Sequence, residues 1–210
     1  MKVKISPTKQ KIKKAAIELF NKNDTLSIST NHIASYAKIS PGNLYYHYKN
    51  KQEIIIEIYL DMSQSFEKLN SFEEILSSKN PLLVLFNMFD KYAKLFWEYK
   101  FLLRDISTLI TIYPSLKEIF IQKQDKRIEQ IEGVFKYLIS LGILTNIPNE
   151  QIPLRAKLNW FISAYWQVFI SSNSKVTKQS IKETKELIFK IQIEPFLTQK
   201  GKKLYEKIDF

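Results

Sequence analysis

The stretch SPGNLYYHYKNKQE, residues 40–53, gathers Tyr45, Tyr46 and Tyr48 around His47, one of only two histidines in the chain. Phenol hydroxyls, an imidazole and the ammonium of Lys51 are donors suited to phosphate oxygens. Asn43 both donates and accepts, so it can meet a base edge, and Gly42 has no side chain to hold a ligand away. The chemistry these types allow is recognition of a polyanion. Aromatics this dense can also signal a core, and Tyr45 is open to both uses, its ring packed and its hydroxyl on a phosphate. His32 lies on a separate segment, where a solvent-facing side chain is the simpler reading. The two histidines lack a neighbouring carboxylate or thiolate pattern, so no metal site is expected.

These residues need a rigid mount, and the flanking sequence describes one. Ser6-Pro7 reads as a helix start, and Ile12, Ala15, Ala16, Leu19 and Phe20 recur at helical spacing over residues 7–22. A second segment, capped by Thr30, would turn Ile33, Ala34 and Ala37 inward. After a tight turn, Ser40 caps a third helix with Pro41 at its first position and Leu44 and Tyr48 as anchors. Its first turn, Ser40–Asn43, would offer backbone N–H groups to a phosphate or base. Asn50, with Glu53 three residues on, starts a longer fourth helix running to Leu69. Two short helices across a tight turn, braced by a third, describe a helix-turn-helix. Its second helix would enter the major groove of double-stranded DNA.

Charge agrees with this division. Ten lysines in residues 1–51 face only Glu18 and Asp24, a net +8, which leaves +3 of the chain's +11 to the other 159 residues. Such asymmetry suits a polyanion at one end, although a solvated lysine-rich surface would look the same.

Residues 9–55 also resemble the DNA-binding domain of the TetR/AcrR family of bacterial transcriptional regulators. The resemblance is carried by Ala16-x-x-Leu19-Phe20, Thr30, Ile33, Ala34, Ala37, Ile39-Ser40, Gly42, Leu44-Tyr45, His47-Tyr48 and Lys51. Thr30 and Ile33 stand one residue closer than in the family pattern. GNLYYHYKNK is especially similar to the family's multidrug-responsive repressors. The resemblance implies phosphate contacts from Thr30, Tyr45, Tyr46, His47 and Lys51, and base-edge contacts near Pro41, Gly42 and Asn43. There are two departures. Lys38 replaces a frequent turn glycine, as an added phosphate contact or as a strained residue. Pro41 replaces a residue that is often polar, which removes one direct base contact.

The remainder is helical by period. An aromatic-rich segment opens at Pro81, residues 101–112 follow, and a long helix from about 114 ends near Gly142. Residues 153–172 are apolar on several faces, and Lys178 to Ile193 forms a last amphipathic stretch before a short basic tail. Residues 98–144 and 194–208 resemble the C-terminal domain of one TetR branch, which implies a homodimer with a ligand-sensing body. The helix carrying Trp160 to Ile170 independently holds more apolar surface than one protomer's core needs, although a large monomeric core would also absorb it. A partner would cover Phe161, Tyr165 and Phe169, with Ile181 and Ile188 from the following helix. Phe86, Phe89, Tyr92, Phe96, Phe101 and Trp160 are either ordinary core or, as the resemblance implies, the lining of a ligand site for an apolar or aromatic effector. Arg104 and Asp105 beside them are open between a buried and a surface pair.

The expected fold is therefore all-α. A helix-turn-helix DNA-binding domain spans 1–51, and a larger helical ligand-binding and dimerisation domain spans 52–210. The expected function is a ligand-responsive transcriptional repressor that binds a palindromic operator as a homodimer and is released by its effector. The alternative is a helical protein-interaction or membrane-surface module. An enzyme is disfavoured, because there is no phosphate-binding glycine loop, no metal-ligand cluster, no cysteine and no histidine outside the motif. No cofactor is implied. With neither a secretory leader nor an apolar run of about 18 residues, a cytoplasmic protein is expected.

Overall fold

The computed structural model describes residues 6–69, 72–171 and 177–209, and among these every regular element is helical. No described helix is long and apolar enough to cross a membrane.

Helix α1 (Pro7–Lys22) buries Ile12, Ala15, Ala16 and Phe20 on one face, as its spacing predicts. Helix α2 (Thr30–Tyr36) is capped by Ser29 and not by Thr30. The Ser29 hydroxyl accepts from the His32 N–H at 3.2 Å, and the His32 ring nitrogen accepts from the Ser29 N–H at 3.3 Å. A histidine thereby takes the place that glutamate holds in the usual reciprocal cap. Lys38 then turns with φ 52°, the left-handed region, so that the Ile39 N–H reaches the Ala34 carbonyl at 3.0 Å. A glycine would adopt that conformation without strain, so of the two uses open to Lys38 the strained turn is realised.

Helix α3 (Pro41–His47) is anchored by Leu44, fully buried and contributing about 1.5–3 kcal/mol by burial, and by Tyr48, 2% exposed. Asn50 caps α4 (Lys51–Leu69) by accepting from the Glu53 N–H at 3.0 Å. There follow α5 (Phe72–Ser77), α6 (Pro81–Glu98), α7 (Lys100–Ile112) and α8 (Pro114–Ser140). Gly142, at φ 64°, closes α8. Helix α9 (Gln151–Ser171) and α10 (Lys178–Glu186) come next, and α10 passes into a π-helical stretch, Leu187–Ile193. The basic tail folds into α11 (Gln199–Tyr205).

The chain forms two compact units. The first combines the residues up to Ser65 with Phe96–Lys117; the second combines Phe66–Leu95 with the residues from Glu118 onward. The unit that carries the helix-turn-helix is thus larger than residues 1–51, because α7 completes its core. Phe101, expected at a ligand site, is fully buried here with its ring 5.0 Å from Phe20. Phe96 belongs to the same unit.

Polar contacts reinforce that packing. Asn21 receives the Phe101 N–H at 3.0 Å, and Arg104 donates to the Phe20 and Asn23 carbonyls at 3.1 and 2.8 Å. The Arg104–Asp105 pair, at 2.6 Å, is neither fully buried nor fully exposed, its arginine exposed and its aspartate half-buried. Asp105 also receives the Thr25 hydroxyl at 2.5 Å, which ties down the loop between α1 and α2. Burial pushes the Asp105 carboxyl up, but the bonds from Arg104 and Thr25 outweigh it and hold it below the usual carboxylate range.

The second unit is centred on Leu82, Phe86, Phe135, Leu138, Ile143, Ile152, Ile188 and Phe189. Phe86 and Phe189 meet edge to face at 5.3 Å.

Candidate nucleic-acid interface and internal cavity

With Leu44 and Tyr48 turned inward, the opposite side of α3 is bare. Pro41, Gly42 and Asn43 are exposed, Tyr45 is 49% exposed and Tyr46 84%. The Tyr45 hydroxyl lies 2.9 Å from the Thr30 hydroxyl, which joins the start of α2 to the α3 surface. His47 stands edge-on to Tyr46 at 5.1 Å and is half-buried. The structure thus brings Thr30, Gly42, Asn43, Tyr45, Tyr46 and His47 onto one ridge. The first turn of α3 offers fewer N–H groups than expected, since Pro41 has none and Asn43 donates its own to the Ser40 hydroxyl at 3.2 Å.

Not all of the positive charge faces outward. Lys13 is 6% exposed, held between Glu57 at 3.1 Å and Asp61 of α4. Burial pulls its ammonium down, but the bonds to Asp61 and Glu57 more than compensate and raise it above the ordinary lysine value. Lys9 also pairs with Glu57, at 3.0 Å. Among the described residues, Lys11, Lys14, Lys22, Lys38 and Lys49 are the exposed cations of this region. The +8 counted from residues 1–51 therefore overstates the field, because α4 supplies acids that the count leaves out.

Lys51 corrects a second expectation. Its ammonium donates to the Thr25, Leu26 and Ile28 carbonyls at 3.1, 3.1 and 2.9 Å, so its three donors serve the loop before α2 and not a phosphate. Burial pushes this ammonium below its ordinary value. Replacing Lys51 with methionine strips three carbonyls of a charged donor. The expected cost is about 2 kcal/mol, read as a lower urea midpoint at unchanged slope. A variant of wild-type stability whose DNA affinity has lost about one unit of salt dependence would return Lys51 to the phosphates.

The second unit holds a partly open cavity of about 70 Å³. Phe89 and Tyr92 line it as the sequence suggests, together with Met88 of α6, Arg127 and Phe135 of α8, Asn159 of α9, and Ile188 and Phe189 of the π-helical stretch. Phe86 packs beside this wall, with the Lys185 ammonium 3.6 Å from its ring centroid. Trp160 lies among rings, 6.1 Å from Phe120 and 5.8 Å from Tyr165. Neither Phe86 nor Trp160 lines the cavity, and Phe96 and Phe101 belong to the other unit. Arg127, Asn159 and Phe189 had no signal in the sequence, since nothing in a helical period marks which polar residue faces a void.

Helix α9 has one side that its own protomer leaves open. Leu154, Leu158 and Phe161 are 64%, 47% and 58% exposed, and Phe169 is 71% exposed. On the π-helical stretch Leu187 and Ile191 are 52% and 62% exposed. Tyr165 and Ile181 are half-buried. Ile188, expected at a partner surface, is 2% exposed and faces the cavity, because the strand of side chains turned outward here is Leu187 and Ile191.

A helix-turn-helix with an exposed second helix, in a chain whose other unit holds a cavity, defines a class of DNA-binding regulators with a separate helical body. Comparison with known proteins agrees. A family model described as bacterial regulatory proteins, tetR family, matches residues 12–58, and one described as bacterial transcriptional repressor matches residues 65–205. The chain belongs to the TetR family. The chain is similar to the uncharacterized HTH-type transcriptional regulator YerO of Bacillus subtilis, 36% identical over 80 residues, which are 37% of this chain and 27% of that protein. It is also similar to the HTH-type transcriptional regulator QacR of Staphylococcus aureus, 44% identical over 50 residues, 24% of this chain and 27% of that protein. These matches span about a quarter of each relative's length. In fold the chain is similar to a TetR-family regulator from Marinobacter aquaeolei, with a TM-score of 0.79 at 24% identity over 96% of this chain and 97% of that one. A structure of AibR with isovaleryl coenzyme A and operator DNA also shares the fold, with a TM-score of 0.64 at 16% identity over 87% and 98% of the two chains.

Proposed function

We propose that this chain is a cytoplasmic transcriptional repressor that binds a palindromic operator as a homodimer and is released by a small apolar or aromatic effector. The ridge on α3 carries this reading: Tyr46 is 84% exposed, and an edge-on contact with the neighbouring His47 does not by itself call for a tyrosine there. Gly42 and Asn43 meet base edges, while Thr30, Tyr45, Tyr46 and His47 position the helix on phosphates. Lys38 stands at the edge of the same surface. Two copies pair through the open side of α9 and the π-helical stretch, with Phe161, Tyr165, Phe169 and Ile181 at the contact. That pairing supports palindromic sites, because two reading helices about 34–36 Å apart meet successive major grooves on one DNA face. An effector in the cavity shifts the dimer between two states, of which only one matches that spacing.

Selection of bound duplexes from random DNA tests the reading, with Tyr46→Phe and Gly42→Ala alongside. A Cβ at Gly42 meets nothing within 4 Å, so Gly42→Ala leaves the fold intact and reports on DNA alone. Tyr46→Phe is expected to weaken all selected sites alike, by about fivefold. Gly42→Ala is expected to change which sites win. A selected palindrome indifferent to both variants removes α3 from the reading role. Liposome sedimentation beside a gel shift separates this function from a membrane-surface role.

A further inference from the structure

The π-helical stretch does not follow the facing of a regular helix. In an α-helix residues three and four apart share a face, yet Ile188 is 2% exposed and Ile191 62%. The backbone gives the reason. At the end of α10 the Leu187 N–H reaches the Glu183 carbonyl, four residues back, whereas the Glu194 N–H reaches the Phe189 carbonyl, five back. The stretch therefore holds one residue more than an α register would. That extra residue lets Ile188, Phe189 and Ile193 line the cavity together while Leu187 and Ile191 stay on the open side.

Resting on the reading of the cavity as the effector site and of the open side as the pairing face, we propose that Leu187–Ile193 is a two-register switch that couples the cavity to that side. Over the same residues an α register would set Ile193 about 140° round the helix from Ile188, and Ile191 only about 60° from it. Ile193 would then leave the cavity wall as Ile191 leaves the open side, since one rotation moves both. An occupant that touches Ile193 meets a wall that only the π register completes, so it favours that register. Gln192 keeps the observed register from being deeply preferred. It is 1% exposed, and neither its amide nitrogen nor its amide oxygen has a hydrogen-bond partner among the described residues. A buried amide in that condition is a cost that the π register bears and a rotated one need not.

The chain has no cysteine, so a single introduced one reports cleanly. In Ile193→Cys the thiol is shielded in the π register and open in the other. It is expected to react with a thiol reagent roughly tenfold or more faster than Leu82→Cys, a fully buried site of α6 outside the cavity wall. Deleting Lys190, exposed and paired with Glu186 at 3.1 Å, removes the extra residue and leaves a plain α-helix with Ile193 still inward, four positions from Ile188. With no second register to visit, the reporter is expected to fall to the Leu82→Cys rate. Xenon under pressure, an apolar atom that enters such cavities, is expected to slow the reporter in the undeleted chain by holding the π register. Hydrogen exchange at residues 187–194 reads the same opening without a cysteine, and the deletion is expected to slow it. A reporter no faster than Leu82→Cys, or one unmoved by the deletion, overturns the switch. If Ile193→Cys does not fold, exchange that the deletion leaves unchanged overturns it equally. Xenon that binds, by its own NMR shift, without slowing the reporter overturns the coupling and leaves the cavity as a site; xenon that does not bind removes both. A monomer in sedimentation velocity with the expected labelling removes the pairing face and leaves the switch in place.

Discussion

Replacing Phe169 with glutamate is expected to leave a folded monomer that no longer holds its operator. Phe169 is 71% exposed, the most open of the large apolar residues on α9. It therefore makes a small contribution to the protomer's own core, and glutamate at that point costs the isolated chain little. In a dimer joined through this face the same carboxylate would lie against the apolar surface of a second copy. Desolvating it costs several kcal/mol, enough to dissociate an interface of ordinary size. Sedimentation velocity should then show the monomer mass, with circular dichroism unchanged. Operator affinity should fall by roughly a hundredfold or more, because the second half-site becomes an independent binding event. An unaltered dimer with unaltered operator affinity would falsify the assignment of this face.

Gly201→Ala is the change expected to damage the fold most. A Cβ at Gly201 would lie 2.2 Å from the Ile143 carbonyl oxygen and 2.9 Å from Leu197 Cδ2. Neither neighbour can move aside cheaply. The Ile143 carbonyl accepts from the Thr198 N–H at 3.0 Å, and the Thr145 N–H donates to the Phe196 carbonyl at 2.7 Å, so the segment after α8 is stitched to the start of α11. Thr198 caps α11 through a 3.1 Å bond from the Gly201 N–H and donates its own hydroxyl to the Gly142 carbonyl at 2.6 Å. An added methyl must break this clip or displace Leu197 from the core. The loss should be about 3 kcal/mol, read as a shift of the urea midpoint. Gly133 supplies the opposite sign: it lies within α8, exposed, and a Cβ there meets nothing within 4 Å. Gly133→Ala should stabilise by about 0.5–1 kcal/mol through helix propensity. Equal effects at the two glycines would show that close approach at Gly201 is not what the fold depends on.

The helices themselves were legible because periodicity is local. Caps and prolines at Ser6-Pro7, Ser40-Pro41 and Asn50 announced α1, α3 and α4, and the inward set of Leu44 and Tyr48 followed from their four-residue spacing. At α2 the sequence pointed to Thr30 as the cap, but the adjacent Ser29 can cap as well, and the ring of His32 decides for Ser29 by accepting from its N–H. Where several aromatics share helical spacing, the pattern cannot say which cavity or core each one joins. Phe89 and Phe101 read alike in sequence, yet one lines the cavity and the other packs on Phe20 in a different unit.

Sequence alone determined that this is an all-helical chain with a helix-turn-helix near its start, because caps, turns and apolar spacing act over a few residues and leave their marks in order. It also singled out the exposed polar tips of α3, since groups unfit for a core but rich in donors have few other uses. Tertiary structure decided what depends on partners far along the chain. It spent Lys13 on Glu57 and Asp61, and Lys51 on three loop carbonyls, and so trimmed the basic face. It turned Ile188 inward while leaving Leu187 and Ile191 open, and it set Arg127 beside an apolar cavity. Charge pairing and the choice of inward face are long-range events, fixed by which helices meet.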